Sequence, residues 1–315
     1  MIKVFIDGAE GTTGLRLADR LNDREDVSLI AIDPELRKDV KERARLSNIA
    51  DIVFLCLPDE AARDAVKGIT NPDTVVIDAS TAHRTLDDWA YGLPELSDSH
   101  RTKIAGSKRI ANPGCHATCF ISLCYPLIEG GIAKTDYPFT CHSVTGYSGA
   151  GKPMIAKYND PKRSAPYSSP RQYALGQKHK HLPEMQKISG IVYPPVFNPI
   201  IADFYAGMVV TIPIQTHLLS KKLGATDLHR YFSDFYAGQK LVRVQPFGTE
   251  IKFEDGMIDA AGLAGLDYME IFVCGHEGQT SLLARIDNLG KGASGAALQC
   301  MNISCGLPEE KGLCL

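Results

Sequence analysis

"FIDGAEGTTGLRLADRL", residues 5–21, sets Gly8, Gly11 and Gly14 directly behind an apolar run and at the start of an amphipathic one. An apolar run, a glycine turn and then a 3.6-residue periodicity read as strand, tight turn and helix. Missing side chains let the backbone come close to a pyrophosphate, and the free N–H groups and dipole at the helix start favour its charge. Thr12 and Thr13 stand at the amino end of that helix and join the three glycines as candidate phosphate contacts. The spacing is G-x-x-G-x-x-G and not the commoner G-x-G-x-x-G, so a glycine-rich turn without a ligand is the competing reading.

The same alternation extends outward. "VSLIAID", "ADIVFLCLP", "TVVIDAS" and "RIANP" read as further strands, and "DEAARDAVKGI" as another helix. Strand, helix, strand repeats imply a parallel sheet with helices on its faces, a Rossmann-like doubly wound α/β domain over residues 1–114. After Cys115 the texture changes. "DYPFTCHSVTGYSG", "GIVYPPVFN", "GMVVTIPIQT", "KLVRVQPF" and "YMEIFVCGHEGQTSLLARID" read as longer strands joined by turns, with "HEGQ" a hairpin tip. An α+β domain with a largely antiparallel sheet is predicted over 115–287. Its helices are expected at "HATCFISLCYPLIEG", where Pro126 should kink or end the helix, and at "ATDLHRYFSDFYAG". The final "GKGASGAALQCMNISCGL" reads as one more helix.

Composition narrows the function classes. The 315 residues carry 34 Lys+Arg against 37 Asp+Glu, a net charge of -3, so no overall basic excess draws the chain to nucleic acid or an anionic membrane. A small-molecule partner is expected. "MIKVFIDG" enters a strand at once, and no later run approaches membrane-spanning length, so a soluble cytoplasmic protein is the expectation. The nine cysteines are odd in number and show no C-x-x-C pair, which points to reduced thiols. Cys115, Cys119 and Cys124 lack a matching histidine pair, so no metal site is expected.

Cys115 differs from the other cysteines in following the Asn112-Pro113-Gly114 turn at the start of a helical pattern. Unsatisfied N–H groups at a helix start stabilise a thiolate, which makes Cys115 a candidate nucleophile. A nucleophilic cysteine needs a general acid/base. In "QKHKHLPEMQ", His181 precedes Leu182-Pro183-Glu184, so a turn into the next helix would hold its ring and Glu184 would orient it or balance its charge. A surface histidine in a basic loop is the alternative.

At the end of the second strand Asp33 could accept from a ribose 2′-hydroxyl, favouring NAD, yet "RKDVKERAR" follows and could cradle a 2′-phosphate. That basic run reads equally as a solvated helix face. The residues leave both cofactors open: NADP(H) if Pro34 turns Asp33 aside and Arg37 or Lys38 meets the 2′-phosphate, NAD if Asp33 faces the ribose.

"GAEGTTG", "YGLPEL", "NPGC", "GYSGAGK", "HKHLPEM" and "DNLGKGASGAA", in that order along nearly the whole chain, resemble the shorter branch of the N-acetyl-gamma-glutamyl-phosphate reductase family of arginine biosynthesis. The resemblance implies NADPH-dependent reduction of an acyl phosphate to an aldehyde, with Cys115 and His181 matching the family's cysteine and histidine. It implies that Cys115 attacks the gamma-acyl phosphate to give a thioester, and that His181 supplies the proton as the reduced adduct collapses to the semialdehyde. Ser80 and Arg84 of "DASTAHR" are then expected near the cofactor or the rim of the active site. Ser148, Gly149 and Lys152 are expected along the substrate pocket with Glu184, and Asn288 and Gly292 near the nicotinamide. The resemblance also implies that residues 288–315 return to complete the first domain, and that the second domain serves catalysis and oligomerisation as a dimer or tetramer. The longer branch commonly has an aromatic residue and a proline after the cysteine, where this chain has His116-Ala117. Two rival readings are an aspartate-semialdehyde dehydrogenase-like or carrier-bound acyl-phosphate reductase, and a dinucleotide-sensing binding protein without catalysis.

Overall fold

A computed structural model describes residues 1–315, the side chains of Glu250 and Ile251 excepted. The chain forms two compact units, residues 1–114 with 293–313 and residues 115–292 with 314–315.

In the first unit, β1 (Ile2–Asp7), β2 (Val27–Ile30), β3 (Ile52–Leu55), β4 (Val75–Asp78), β5 (Ala90–Tyr91) and β6 (Arg109–Ala111) form one parallel sheet in the order β2-β1-β3-β4-β6-β5. The helices are α1 (Thr12–Asn22), α2 (Val40–Ile49), α3 (Asp59–Gly68) and α4 (Asp98–Gly106). Strands β3 and β4 are buried at every position, which is why they read as unbroken apolar runs. Successive residues serve opposite cores. Val4, Ile6 and Phe54 pack on one face with Leu17 and Leu21 of α1, while Phe5, Val53 and Leu55 pack on the other with Leu46 and Ala62. The last helix of the chain, α9 (Gly295–Ser304), brings Ala297, Leu298 and Met301 into the first of these cores. The β1–α1 turn depends on glycine: Gly8 has φ +88°, and a Cβ on Gly14 would sit 2.5 Å from the Gly8 carbonyl oxygen.

In the second unit, β7 (Thr140–Gly146), β8 (Arg171–Gln172), β9 (Val196–Ala202), β10 (Met208–Gln215), β11 (Val242–Val244), β12 (Met269–His276) and β13 (Gln279–Ile286) lie in the order β11-β12-β13-β10-β7-β9-β8. Antiparallel pairings predominate, but β7 with β9 and β11 with β12 run parallel, so the sheet is mixed. The hairpin at "HEGQ" pairs His276 with Gln279, as its sequence predicts. Helices α5 (Cys115–Glu129), α6 (Lys152–Asn159), α7 (Leu182–Ser189) and α8 (Ala225–Phe235) complete the unit, with α5 against β13, β10 and α7.

Pro126 does not end α5 at its own position: the helix runs on to Glu129. A proline leaves the carbonyl four residues back without its helical donor, and here Tyr236 Oη donates to that Ser122 carbonyl at 2.7 Å. Tyr231 Oη likewise donates to the Pro126 carbonyl at 2.7 Å. The Tyr236 hydroxyl thus replaces the donor that the proline lacks, while the Pro126 carbonyl also accepts the Gly130 N–H at 3.0 Å. The strand expected at "GIVYPPVFN" starts only at Val196, because Pro194 and Pro195 have no N–H for a ladder.

Candidate functional site

The first unit contains a cavity of about 690 Å³ at the carboxyl ends of β1 and β2. Gly8, Ala9, Glu10 and Gly11 form its turn, and Leu29, Ile32 and Leu57 supply apolar wall. A Cβ added at Gly11 would meet nothing closer than 3.5 Å, so this glycine leaves open backbone facing the cavity mouth. An apolar slot, bare backbone at a helix start and two arginines are the donor set that the adenosine and pyrophosphate of a dinucleotide require, so the residues fit that cofactor. Thr12 and Thr13 are half-buried in the first turn of α1, and Gly14 is buried beneath the turn.

At the end of β2 the side chains divide. Asp33 Oδ1 accepts the Glu35 N–H at 2.9 Å, a local turn contact, and Asp33 is not part of the cavity wall. Arg37 lines the cavity, with Nε donating to the Pro34 carbonyl at 2.7 Å and Nη1 paired with Glu10. Lys38 is exposed and does not line it. Arg43 does, although the sequence reading passed over it within the basic run. It stands one turn into α2, whose start is capped by Asp39, and it binds Asp7 through Nε and Nη2 at 2.7–3.0 Å.

Ser80 and Arg84 brace the loops at the ends of β4 and β6. Ser80 Oγ donates to Asp78 Oδ2 at 2.7 Å, and Arg84 Nε donates to the Asn112 carbonyl at 2.8 Å. Arg84 Nη2 reaches the Ala79 carbonyl at 3.0 Å, and Asn112 Nδ2 reaches the Ala293 carbonyl at 3.0 Å. These contacts fix the turn that leads into Cys115.

In the second unit Cys115 opens α5 and is half-buried. The helix start favours its thiolate. Cys119, Cys124 and Cys141 are fully buried, and burial pushes each thiol up. In the first unit, burial, with Asp78 and Asp7 adding to it, pushes Cys56 up to about 12. Gly292 lies against Cys115: a Cβ there would lie 2.8 Å from the Cys115 Cβ. Ser148 is fully buried, and its Oγ accepts from Asn288 Nδ2 at 3.0 Å, while Asn288 Oδ1 accepts the Gly207 N–H at 2.8 Å. A Cβ on Gly149 would come within 3.0 Å of the same Nδ2. Asn288 therefore ties the Ser148–Gly149 turn down, whereas Lys152 is exposed at the start of α6.

His181 caps the amino end of α7 and is buried, with Nε2 4.0 Å from Glu184 Oε1. Its backbone N–H donates to His179 Nδ1 at 3.1 Å, and the two rings meet edge-on with centroids 4.7 Å apart. A third imidazole completes the cluster, His116, at 5.5 Å from His181 and 5.4 Å from His179. Its Nδ1 lies 2.8 Å from Ser143 Oγ and its Nε2 2.8 Å from Tyr173 Oη. Burial, reinforced by His179, holds the His116 imidazole down to about 3, so it is neutral at physiological pH. Burial, and after it the proximity of Cys115, pushes the Tyr173 phenol up. His116 and Tyr173 were not singled out as site residues by the sequence, since 57 positions separate them and only the fold of β8 toward α5 joins them. Among the described residues no group of three or more His, Cys, Asp and Glu side chains is arranged to hold a metal ion.

Residues 3–104 match the NAD-binding domain of semialdehyde dehydrogenases, and residues 115–288 match the dimerisation domain of the same enzymes. The chain belongs to the semialdehyde dehydrogenase class. Its fold is shared with aspartate semialdehyde dehydrogenase II from Vibrio cholerae (TM-score 0.71, 16% identity, covering 97% of this chain and 99% of that one) and with aspartate semialdehyde dehydrogenase from Francisella tularensis (TM-score 0.70, 14% identity, 96% and 99%). Closer in sequence are N-acetyl-gamma-glutamyl-phosphate reductase 2 of Nostoc sp., 43% identical over 318 residues and 99% of each chain, and N-acetyl-gamma-glutamyl-phosphate reductase of Sinorhizobium medicae, 43% identical over 305 residues, 96% of this chain and 98% of that one. Within the class, this chain is a member of the N-acetyl-gamma-glutamyl-phosphate reductase family.

Proposed function

We propose that the chain reduces N-acetyl-gamma-glutamyl phosphate to N-acetyl-glutamate 5-semialdehyde and phosphate, using NADPH, with Cys115 as nucleophile and His181 as acid/base. The observation that carries this reading is the placement of Cys115, at a helix start, against Gly292, in the same unit as a buried histidine whose ring a carboxylate approaches. His181 holds the proton that leaves Sγ, the thiolate adds to the acyl carbon, and N–H groups of the first turn of α5 steady the oxyanion as the C–O bond to phosphate breaks. Reduction of the thioester carbonyl would draw its hydride from NADPH bound in the first unit. Collapse of the reduced adduct breaks the C–S bond, releases the aldehyde and returns Cys115 to the thiolate, with His181 again balancing the proton. Ser148 and Gly149, held by Asn288, form the wall along which the acyl chain lies, and Glu184 orients His181. Gly8, Gly11, Thr12, Thr13 and Gly14 bind the pyrophosphate, and Arg37 meets the 2′-phosphate. Arg43 takes the place at this site expected of Lys38, because Arg43 lines the cavity and Lys38 does not.

The match of residues 115–288 to a dimerisation domain supports a homo-oligomer, dimer or tetramer. Among the described residues no helix is long and apolar enough to cross a membrane, in keeping with a small-molecule enzyme of the cytoplasm. Phosphate-dependent oxidation of N-acetyl-glutamate semialdehyde with NADP, measured beside aspartate semialdehyde, tests the substrate assignment. The first aldehyde is expected to be oxidised far faster, and preference for the second would transfer the chain to the rival acyl group.

A further inference from the structure

The two arginines of the dinucleotide cavity are held by carboxylates in different ways. Arg43 is bound by both oxygens of Asp7, and the two side chains are 19% and 6% exposed. A pair this buried does not exchange partners, because freeing either charge leaves the other desolvated and unpaired. Arg37 is bound by Glu10, and these side chains are 42% and 68% exposed. An exposed pair biases an equilibrium by no more than about fivefold, so an incoming dianion can displace it. Glu10 belongs to the glycine turn and Arg37 to the segment after β2, so their contact spans the cavity between pyrophosphate turn and ribose end.

We propose that Glu10 is a specificity-determining residue for the dinucleotide: it occupies Arg37 until a 2′-phosphate takes the guanidinium from it, and it thereby sets the margin by which NADP is preferred over NAD. This rests on the assignment of the cavity to the adenosine end of the cofactor. Arg43 stays fixed on Asp7 and keeps Nη1 for the ligand, while Arg37 changes partner. Glu10 weakens phosphate binding by holding Arg37 and by its own charge, and a ribose hydroxyl, which Glu10 can accept from, escapes that penalty.

Isothermal calorimetry with 2′,5′-ADP and 5′-AMP on the whole chain tests this without turnover. Glu10→Gln is expected to tighten 2′,5′-ADP about two- to fivefold and to leave 5′-AMP unchanged or slightly weaker. No gain for 2′,5′-ADP, or an equal gain for both ligands, overturns the role of Glu10. Arg37→Ala is expected to remove most of the preference for 2′,5′-ADP. If it leaves that preference intact, the role of Glu10 fails, and if Arg43→Ala leaves it intact as well, the assignment of the cavity fails with it. Glu10 and Arg37 are exposed, and thermal melting confirms that the variants keep the fold.

Discussion

The Cβ that any other residue at position 292 would carry lies 2.8 Å from the Cβ of Cys115, and it also meets Ile286 Cδ1 at 3.0 Å and the Asp287 carbonyl oxygen at 3.1 Å. Three neighbours at such distances cannot all give way. Gly292→Ala should therefore displace the start of α5 while costing about 1–3 kcal/mol in stability, the usual cost of an added methyl in a packed site. Misplacing a reacting atom by an ångström costs about 10²-fold in rate. Turnover is expected to fall by about that factor with the variant still folded, as circular dichroism and steady-state kinetics would show together; wild-type turnover would mean that the gap beside Cys115 has no catalytic use.

Thiol chemistry should single out Cys115 in the interior of its unit. Cys119, Cys124 and Cys141 are fully buried with raised thiols, so they should resist iodoacetamide at neutral pH, and Cys115 should label along with the exposed Cys314 and ahead of Cys274, which is half-buried too but lies within a strand. Peptide mapping reads this directly. Cys119→Ala should keep most of the activity and lose about 1 kcal/mol to the small cavity, whereas Cys115→Ser should abolish turnover. A Cys115→Ser enzyme with a tenth of the wild-type rate removes the nucleophile assignment.

His181 and His179 lie side by side, but only His181 is both buried and approached by a carboxylate. Loss of a general acid/base costs about 10²–10⁴-fold, and His181→Asn should lose that much in kcat. His179→Asn should lose less, through the His181 backbone contact that it removes. Pre-steady-state kinetics that found His179→Asn the more damaging would exchange the two roles.

How much of this was legible in sequence follows from how local each signal is. Strands β1 to β4 and β6 of the first unit and the β12–β13 hairpin were readable because burial on two faces, or alternation around a two-residue turn, is written in consecutive residues, whereas the two-residue β5 was not. Helix α4 was not. In α4 only Ile104 is buried, so hardly any apolar period exists to find. Cys115 was legible because a helix start follows a turn by a few residues. Arg43 was missed because its partner Asp7 is 36 positions away, and the His116–Tyr173 contact because 57 positions intervene. The donor that replaces the missing N–H at Pro126 belongs to Tyr236, 114 positions beyond Ser122, which no reading of the helix alone supplies.

His116 also makes a prediction about acid stability. Its folded pKa, about 3, lies below the ordinary value of 6.5, so between those pH values the unfolded chain binds a proton that the folded chain refuses. Stability from this group is thus complete above about pH 6.5 and declines as pH falls toward 3, with a slope of at most about 1.4 kcal/mol per unit. Denaturant titrations at pH 7.5 and pH 5 should show wild type losing more stability on acidification than His116→Phe. An equal loss in both would mean that His116 is not held neutral.

The central claim is that Cys115 carries the acyl group as a thioester. Mixing the protein with N-acetyl-glutamate semialdehyde and NADP in the absence of phosphate should halt the oxidative reaction at that stage. The predicted result is a burst of about one NADPH per chain, since each has a single such cysteine, with the acyl mass located on the Cys115 peptide and both signals absent in Cys115→Ser. Steady oxidation without phosphate and without a burst, or the same acyl mass on Cys115→Ser, would contradict the mechanism.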